Sequence, residues 1–244
     1  MNNSHNPMQQ LLITGASSDI GLAACRYYLK RGFSIVAHFN KGRDALVEIA
    51  AASENITLLH IDLSDPENLE RAITDNPVLF ARTDVLINAA AINEPAPFTK
   101  ITAGAVLKAM SVNLLPGLIL MRTIVPSMLE RGWGRIVNLS SIGVKFGGGS
   151  SSFTYGLSKH AMEFTPADHK VWAAQNVFVN TLRIGVTDTR FHASDPNKNM
   201  DARVSLIPAG RMASPEEIAK SIYWFGSKEN TFTTGQITAI AGGE

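Results

Sequence analysis

Tyr155 and Lys159 are the residues whose types and spacing are best suited to proton transfer. Residues four positions apart lie on one face of a helix. A free tyrosine titrates at about pH 10, and a neighbouring ammonium group lowers that pKa because it favours the phenolate. Beside Lys159, the Tyr155 phenol could therefore donate or accept a proton. Taken alone, such a pair is more often two surface neighbours.

The elements that must position this pair alternate between strands and helices. Apolar runs rich in Val, Ile and Leu predict strands buried on both faces. They cover residues 11–14, 34–39, 57–61, 85–88, 135–139, 177–182 and 236–240. Helical periodicity covers residues 20–31, 44–52, 66–74, 103–131, 155–174 and 215–225.

This alternation predicts an α/β fold with a single Rossmann-type, doubly wound, seven-stranded parallel sheet and helices on both faces, because parallel crossovers need covering helices. We expect residues 10–244 to form one domain, and the polar residues 1–9 to form a flexible tail.

The first predicted strand leads into a glycine turn, residues 14–21, and then into a helix. Gly15 permits the tight turn, and Gly21 permits close contact between helix and strand. The helix N-terminus, with Ser17, Ser18 and Ile20, could bind a pyrophosphate. Such turns also occur without any ligand.

Asp19 stands where a glycine would let the backbone approach phosphate most closely. Asp tolerates this turn and caps helices well. Its carboxylate would nevertheless compete with the pyrophosphate for the same donors, at a cost of about 1 kcal/mol. We therefore expect Asp19 to weaken cofactor affinity.

The second predicted strand is followed by Asn40, Lys41 and Arg43, with no acidic residue at the strand end to bind a ribose 2′-hydroxyl. Two cations there suit a 2′-phosphate, which favours NADP(H) over NAD(H). Alternatively, they begin a solvated helix.

Over essentially its whole length the chain resembles the short-chain dehydrogenase/reductase family. Residues 14–21 are similar to its TGxxxGxG loop, with Asp19 for the middle glycine, and residues 87–91 are similar to its NNAG segment. Asn113, Ser141, Tyr155 and Lys159 follow in the order of the family's Asn-Ser-Tyr-Lys tetrad.

The resemblance implies a role for each tetrad member. Tyr155 is the general acid in reduction and the base in oxidation, and Ser141 holds the substrate carbonyl. Lys159 lowers the tyrosine pKa and binds the nicotinamide ribose, while Asn113 supports a water next to Lys159. Ser140 is the less suitable serine. The serine-to-tyrosine gap is about one residue longer than is typical, which Gly147–Gly149 could absorb.

The remaining cofactor contacts are also implied by the resemblance. Asp62 and Leu63 would contact the adenine, although Asp62 could instead cap a turn before Pro66. The other expected contacts are Asn88, Ala89, Ala90, Gly185, Thr187 and Thr189.

Two departures concern the backbone. Ile184 replaces the proline of the family's PGxxxT segment, which frees an N–H and should loosen that turn. Pro166 falls inside the predicted helix 155–174, where it should disturb the half beyond Lys159. Because members of the family often form oligomers through this half of the helix, the resemblance implies a homodimer or homotetramer.

Composition excludes several classes of function. The net charge of +1 gives no field that attracts nucleic acid or membrane, and Cys25, the only cysteine, excludes an internal disulfide. We find no histidine spacing typical of a metal site and no apolar stretch long enough to span a bilayer. A soluble cytoplasmic protein is expected, with Cys25 as a packing residue.

Residues 187–208 lose the periodic pattern of the rest of the sequence. This favours a lid-like segment that covers a site, and the alternative is a plain surface insertion. Arg190, Phe191, His192 and Lys145 could line a substrate pocket there, although such loop residues are more often solvated.

The sequence thus predicts an oxidoreductase that interconverts a ketone and a secondary alcohol with NADP(H). The substrate is undetermined, and within the family the chain resembles the reductases of 3-oxoacyl thioesters. One alternative is a cofactor-binding regulator or scaffold, suggested by the departures from the family pattern. Another is lyase or epimerase chemistry with the nicotinamide retained.

Overall fold

The computed structural model describes residues 8–191 and 199–244. Within them, seven parallel strands form one sheet in the order β3-β2-β1-β4-β5-β6-β7. The strands are β1 (Gln10–Thr14), β2 (Ser34–Phe39), β3 (Ile56–His60), β4 (Val85–Asn88), β5 (Gly134–Ser141), β6 (Val177–Ile184) and β7 (Ile237–Ile240). The predicted fold class is confirmed, and each predicted strand is present.

The helices cover both faces of this sheet. They are α1 (Asp19–Leu29), α2 (Arg43–Ala51), α3 (Pro66–Asp75), α4 (Pro77–Ala81), α5 (Ala103–Asn113), α6 (Leu115–Arg131), α7 (Phe153–Ala161), α8 (His169–Ala173), α9 (Met200–Val204) and α10 (Pro215–Phe225). The short helices α4 and α9 were not predicted, because five residues are too few to show a helical period.

Successive residues of the strands belong to two separate cores. Leu11 and Ile13 pack with residues of α1 and α10 such as Ile218, whereas Leu12 packs on the other side with Leu120 of α6. This alternation follows from the two-residue period of a strand. Cys25 is buried in the first core, where burial raises the pKa of its thiol to about 12, so it packs as the sequence predicts.

The strand order reverses beside β1, which lies between β2 and β4. In doubly wound sheets a crevice forms outside the carboxyl ends of the strands at such a reversal. The glycine turn after β1 and the segment after β4 therefore meet at this crevice.

The predicted helix 103–131 is two helices, because the chain bends at Leu114 (φ −118°, ψ −58°), just before Pro116. By length and composition alone, Ala103–Arg131 could cross a membrane, so the expectation that no stretch meets that criterion is wrong. In the fold, Leu120, Ile124 and Met128 of this stretch are buried against the sheet.

The prediction of one helix over residues 155–174 is also wrong. Helix α7 ends at Ala161 and α8 begins at His169, so Pro166 lies between them and interrupts neither. The turn that carries Tyr155 and Lys159 stays regular, as expected, and the irregularity lies beyond Lys159.

Candidate active site

A cleft of about 1960 Å³ runs along the carboxyl edge of the sheet. Most of the predicted site residues line it. They are Gly15, Ser17, Ser18, Asp19, Ile20, Asn40, Lys41, Asp62, Leu63, Ala89, Ala90, Ser141, Tyr155, Lys159, Gly185, Thr187 and Thr189. Three predicted residues, Gly21, Asn88 and Asn113, do not line the cleft.

The glycine turn has no room for a side chain at Gly15 or Gly21. A Cβ on Gly15, whose φ is +69°, would lie 2.8 Å from the Cα of Ala90, and one on Gly21 would lie 2.4 Å from the carbonyl oxygen of Gly15. The Ser18 hydroxyl accepts a hydrogen bond from the Gly21 N–H and caps α1. Gly21 therefore acts beneath the cleft, by bringing α1 close to β1.

His38 supports the same turn from β2, which the sequence analysis did not foresee. Its Nδ1 accepts a hydrogen bond from the Gly15 N–H at 3.1 Å, so its Nε2 carries the proton and donates to the Ile61 carbonyl at 2.9 Å. The side chain is buried, and this burial lowers the pKa of the imidazole. His38 is thus held neutral in one tautomer.

Thr14 is a second unforeseen support. Its hydroxyl oxygen accepts hydrogen bonds from the N–H groups of Ala89 and Ala90, at 3.0 and 3.1 Å. Asn88 faces the other way, and its side-chain amide donates to Asn138 Oδ1 at 2.8 Å. Asn88 therefore joins β4 to β5 below the cleft.

Asn113 joins two walls of the cleft without lining it. Its Oδ1 accepts from the Ile92 N–H at 2.8 Å, and its Nδ2 donates to the Ile92 carbonyl at 3.0 Å and to Ser158 Oγ at 2.8 Å. Ser158 donates in turn to the Tyr155 carbonyl. Asn113 thereby fixes the loop after β4 against the catalytic turn of α7.

Ser141 ends β5 and faces the cleft. Its hydroxyl accepts from the Gly143 N–H at 3.1 Å and is hydrogen-bonded to the Tyr155 phenol. Ser140 points into the protein and donates to Glu163 Oε1 at 2.7 Å, which fits the choice of Ser141 as the site serine. Glycines 147–149 all have φ between +63° and +81°, so this loop takes a course that few other residues permit.

Lys159 lies behind the tyrosine. Its Nζ is 5.8 Å from the centre of the Tyr155 ring and donates to the Leu139 carbonyl at 2.6 Å. Burial lowers the pKa of Lys159 to about 7. Burial also raises the pKa of Tyr155 to about 12, against the lowering effect of the Ser141 hydrogen bond. The proposed lowering of the tyrosine pKa by Lys159 thus has to overcome burial, and it stays a prediction.

At the β2 end of the cleft, Lys41 is the cation that faces the opening. The Ser17 hydroxyl donates to the Lys41 carbonyl at 2.7 Å and fixes this turn to the glycine loop. Arg43 instead lines a separate pocket with Phe39 and His60.

Asp62 lies opposite Lys41, at the end of β3. Its Oδ1 accepts from the Ser64 N–H at 2.9 Å, and this bond, with a smaller effect of the Lys41 charge, lowers the pKa of the carboxyl. This bond caps the turn before Pro66, which was the alternative role expected of Asp62, whereas the N-cap of α3 itself is Asp65.

The segment after β6 forms the opposite wall. Strand β6 continues through Ile184, and the Gly185 N–H donates to the Ile240 carbonyl at 2.9 Å. A Cβ on Gly185 would lie 2.6 Å from the Cα of Ala241. The turn is therefore held against β7 through Gly185, and the loosening expected from the missing proline stays a prediction.

Arg190 and Phe191 line the cleft beyond this turn. Arg190 binds both carboxylate oxygens of Asp19, through its N–H at 2.7 Å and its Nε at 2.8 Å. The Phe191 ring lies 5.3 Å from that of Tyr155. Lys145 does not line the cleft, and His192 lies outside the described residues.

Several further residues that line the cleft were not predicted. Asn93 donates to Ser152 at 3.0 Å, and Arg203 of α9 pairs with Glu244 at 2.6 Å. Because these residues come from distant loops and the last residue of the chain, no local pattern in the sequence indicates that they meet.

The comparisons with known proteins agree with this geometry. The family model described as enoyl-(acyl carrier protein) reductase matches residues 15–244. Among curated proteins, the chain is 29% identical over 236 residues to the 3-oxoacyl-[acyl-carrier-protein] reductase FabG of Thermotoga maritima, covering 95% of this chain and 96% of that one.

Two solved structures show the same fold. A 3-oxoacyl (acyl-carrier-protein) reductase from Agrobacterium tumefaciens with NADP bound has a TM-score of 0.85 and 26% identity, over 97% of this chain and 94% of that one. 4-Hydroxyisoleucine dehydrogenase complexed with NADH has a TM-score of 0.87 and 28% identity, over 96% and 98%. With the glycine turn, Ser141, Tyr155 and Lys159 in one cleft, the chain belongs to the short-chain dehydrogenase/reductase family and is an NAD(P)-dependent oxidoreductase that interconverts a ketone and an alcohol.

Proposed function

We propose that this protein reduces a ketone to a secondary alcohol with NADPH, with Asn113, Ser141, Tyr155 and Lys159 as its tetrad. The observation that carries the proposal is that Ser141, Tyr155 and Lys159 line the same cleft as the glycine turn. Gly15 lines this cleft together with Ser18 and Ile20 at the N-terminus of α1, where backbone N–H groups could bind a pyrophosphate. In this arrangement the nicotinamide cofactor supplies or accepts the hydride.

The protein's own residues would orient the substrate and move one proton. The Tyr155 phenol gives its proton to the carbonyl oxygen during reduction, and the Ser141 hydroxyl donates a hydrogen bond to that oxygen. Lys159 would bind the nicotinamide ribose and favour the phenolate by its charge. Asn113 is a positioning residue, because it holds the turn that carries Tyr155.

The decisive test is a screen of NADPH and NADH oxidation with ketones, 3-oxoacyl thioesters and keto sugars. Turnover should fall by about 10²–10⁴ in Tyr155→Phe, while NADPH binding is retained. Thioesters are included because of the 3-oxoacyl reductases among the relatives. Tight NADPH binding without turnover of any substrate would support the regulator instead. Product formation without net change of the nicotinamide would support lyase or epimerase chemistry.

NADP(H) is the preferred cofactor in this proposal. Lys41 faces the cleft, and the end of β2 carries Asn40 and Lys41 rather than an acidic residue that would repel a 2′-phosphate. One solved relative holds NADP and another NADH, so the family accepts both. Lys41→Ala should therefore raise the dissociation constant of NADPH about tenfold and leave that of NADH nearly unchanged. Arg43→Ala, outside this cleft, is the matched control. Equal effects of Lys41→Ala on both cofactors would refute the preference.

We also propose a soluble, cytoplasmic homo-oligomer whose single domain spans residues 10–244 and which binds neither nucleic acid nor membrane. Large apolar side chains are exposed on and beside α5, α6 and α7, where a second copy could cover them. They are Leu107, Leu118, Leu157 and Phe164. Light scattering after size-exclusion chromatography should give a dimer or tetramer, which Leu107→Arg should weaken. A monomer at micromolar concentration would contradict the proposal.

A further inference from the structure

We propose that Asp19 and Arg190 form a strap across the cofactor cleft, which must open for a nicotinamide cofactor to enter or leave. This inference rests on the proposed cofactor site. It gives a specific task to the residue at which the glycine turn departs from the family pattern.

The position of the two residues makes their contact a bridge between walls. Asp19 begins α1, directly after β1, and Arg190 follows β6. Strands β4 and β5 lie between β1 and β6 in the sheet. Three strand spacings correspond to about 14 Å, which the two segments must span above the sheet edge. The strap therefore crosses the cleft above the ends of β4 and β5.

The contact is specific on both sides. The Asp19 carboxylate accepts from the backbone N–H and the Nε of Arg190, and Arg190 Nη2 donates to the Ser17 carbonyl at 3.2 Å. The arginine thus binds both the carboxylate and the backbone of the glycine turn. Two charge-assisted bonds to one carboxylate have a fixed geometry that a single-point contact lacks.

The residues on either side of the strap are those expected to hold the cofactor. Ser18 and Ile20 lie on the wall that carries Asp19, and Thr187 and Thr189 lie on the wall that carries Arg190. A cofactor that contacts both walls has to pass the strap when it binds and again when it dissociates.

The pairing also changes what Asp19 is expected to do. Its side chain is 24% exposed, and a cation 2.8 Å away compensates its charge. An isolated carboxylate would lower the affinity for pyrophosphate, whereas a strap that opens in both directions changes rates. Loss of the strap should accelerate association and dissociation together and leave the dissociation constant within about threefold.

Stopped-flow fluorescence of NADPH with the full chain measures both rate constants. In Asp19→Asn and in Arg190→Ala, each rate constant should rise by about fivefold, as expected for loss of a partly exposed ion pair. The double variant should be no faster than either single variant, because each substitution breaks the same ion pair between Arg190 and Asp19. Arg211→Ala is the matched control, since it breaks the similarly exposed Arg211–Glu217 pair outside the cleft.

Several other outcomes would contradict the proposed strap. Unchanged rates, additive effects, or the same acceleration in Arg211→Ala would exclude it. Slower association in Arg190→Ala would show that the arginine attracts the cofactor instead, and a rise in the dissociation constant alone would show that the pair stabilises the bound state. Failure of the wild-type protein to bind NADPH or NADH would overturn the proposed function together with the strap, whereas normal binding with unchanged rates would overturn the strap alone. Circular dichroism of each variant verifies the fold.

Discussion

Lys159 combines a functional charge with a buried position. Only 2% of the residue is exposed, and burial lowers the pKa of its amine from 10.5 to about 7. Between these values the unfolded chain binds more protons than the folded one, so this group makes stability rise with pH across that range. Below about pH 7, both states bind the proton and the full cost of burying the charge is present.

Lys159→Met should therefore abolish turnover and stabilise the enzyme. Without added nucleotide, its unfolding temperature at neutral pH should rise by about 2–4 °C, and the gain should shrink at alkaline pH. Circular dichroism melts at several pH values measure both effects. Lys170→Met, at an exposed position on α8, is the control and should show no such trend. A less stable Lys159→Met would mean that the bond to the Leu139 carbonyl outweighs the burial of the charge.

The chemistry-bearing residues were predictable from sequence because their types and order are unusual in combination. Tyr155, Lys159 and Ser141 line the predicted site. The places of Asn88 and Asn113 were not predictable, since an amide satisfies its hydrogen bonds with whichever polar groups the fold brings near. The sequence did not indicate the role of His38 under the glycine turn, because a lone histidine in an apolar strand can have many structural roles.

At the scale of elements, the glycine turn depends on close backbone contact. Gly15→Ala would bring a Cβ to within 2.8 Å of the Ala90 backbone at a positive φ, so it should destabilise the fold by at least about 2 kcal/mol and impair NADPH binding. Gly32→Ala is the matched control, because Gly32 has a similar φ of +78° with nothing within 4 Å. It should lose only about 1 kcal/mol. Urea unfolding measures the free energy of unfolding of both variants. Equal losses would show that the backbone strain at positive φ accounts for the whole effect, without the contact with Ala90.

The connection between α5 and α7 offers a second test at this scale. Asn113→Ala removes three hydrogen bonds from a buried site and should destabilise the protein by about 3 kcal/mol, measured by urea unfolding. Ser158→Ala keeps both bonds to Ile92 and should cost about 1–2 kcal/mol.

Both variants should also lower kcat more than they raise KM, because the turn that carries Tyr155 loses its support. A loss of stability with unchanged kcat would show that Asn113 only stabilises the fold. The end of α7 was not foreseen either, since the helical period of the sequence continues past Ala161 while the chain leaves the helix.

At the scale of the whole molecule, the seven strands were predictable because buried parallel strands are continuous apolar runs. What could not be predicted is how distant segments meet. Asp19 and Arg190 are 171 residues apart, and Gly15 and His38 are 23 apart. Such contacts depend on strand order and turn geometry, which the periodicity of the sequence does not specify.

We expect the buried imidazole of His38, under the glycine turn, to set a lower limit to the pH range in which the enzyme works. His38 accepts from Gly15, and a proton on Nδ1 would turn that attraction into a clash between two donors. Because its pKa is lowered, the stability that neutral His38 contributes is present above about pH 6.5 and is lost as the pH falls. NADPH affinity should therefore fall on acidification before the protein unfolds, and titration calorimetry in parallel with circular dichroism can separate the two. His38→Gln, which has a donor and an acceptor but no proton to gain, should lose this sensitivity to acid. The acid tolerance of the enzyme would then be a property of its scaffold rather than of its catalytic tyrosine.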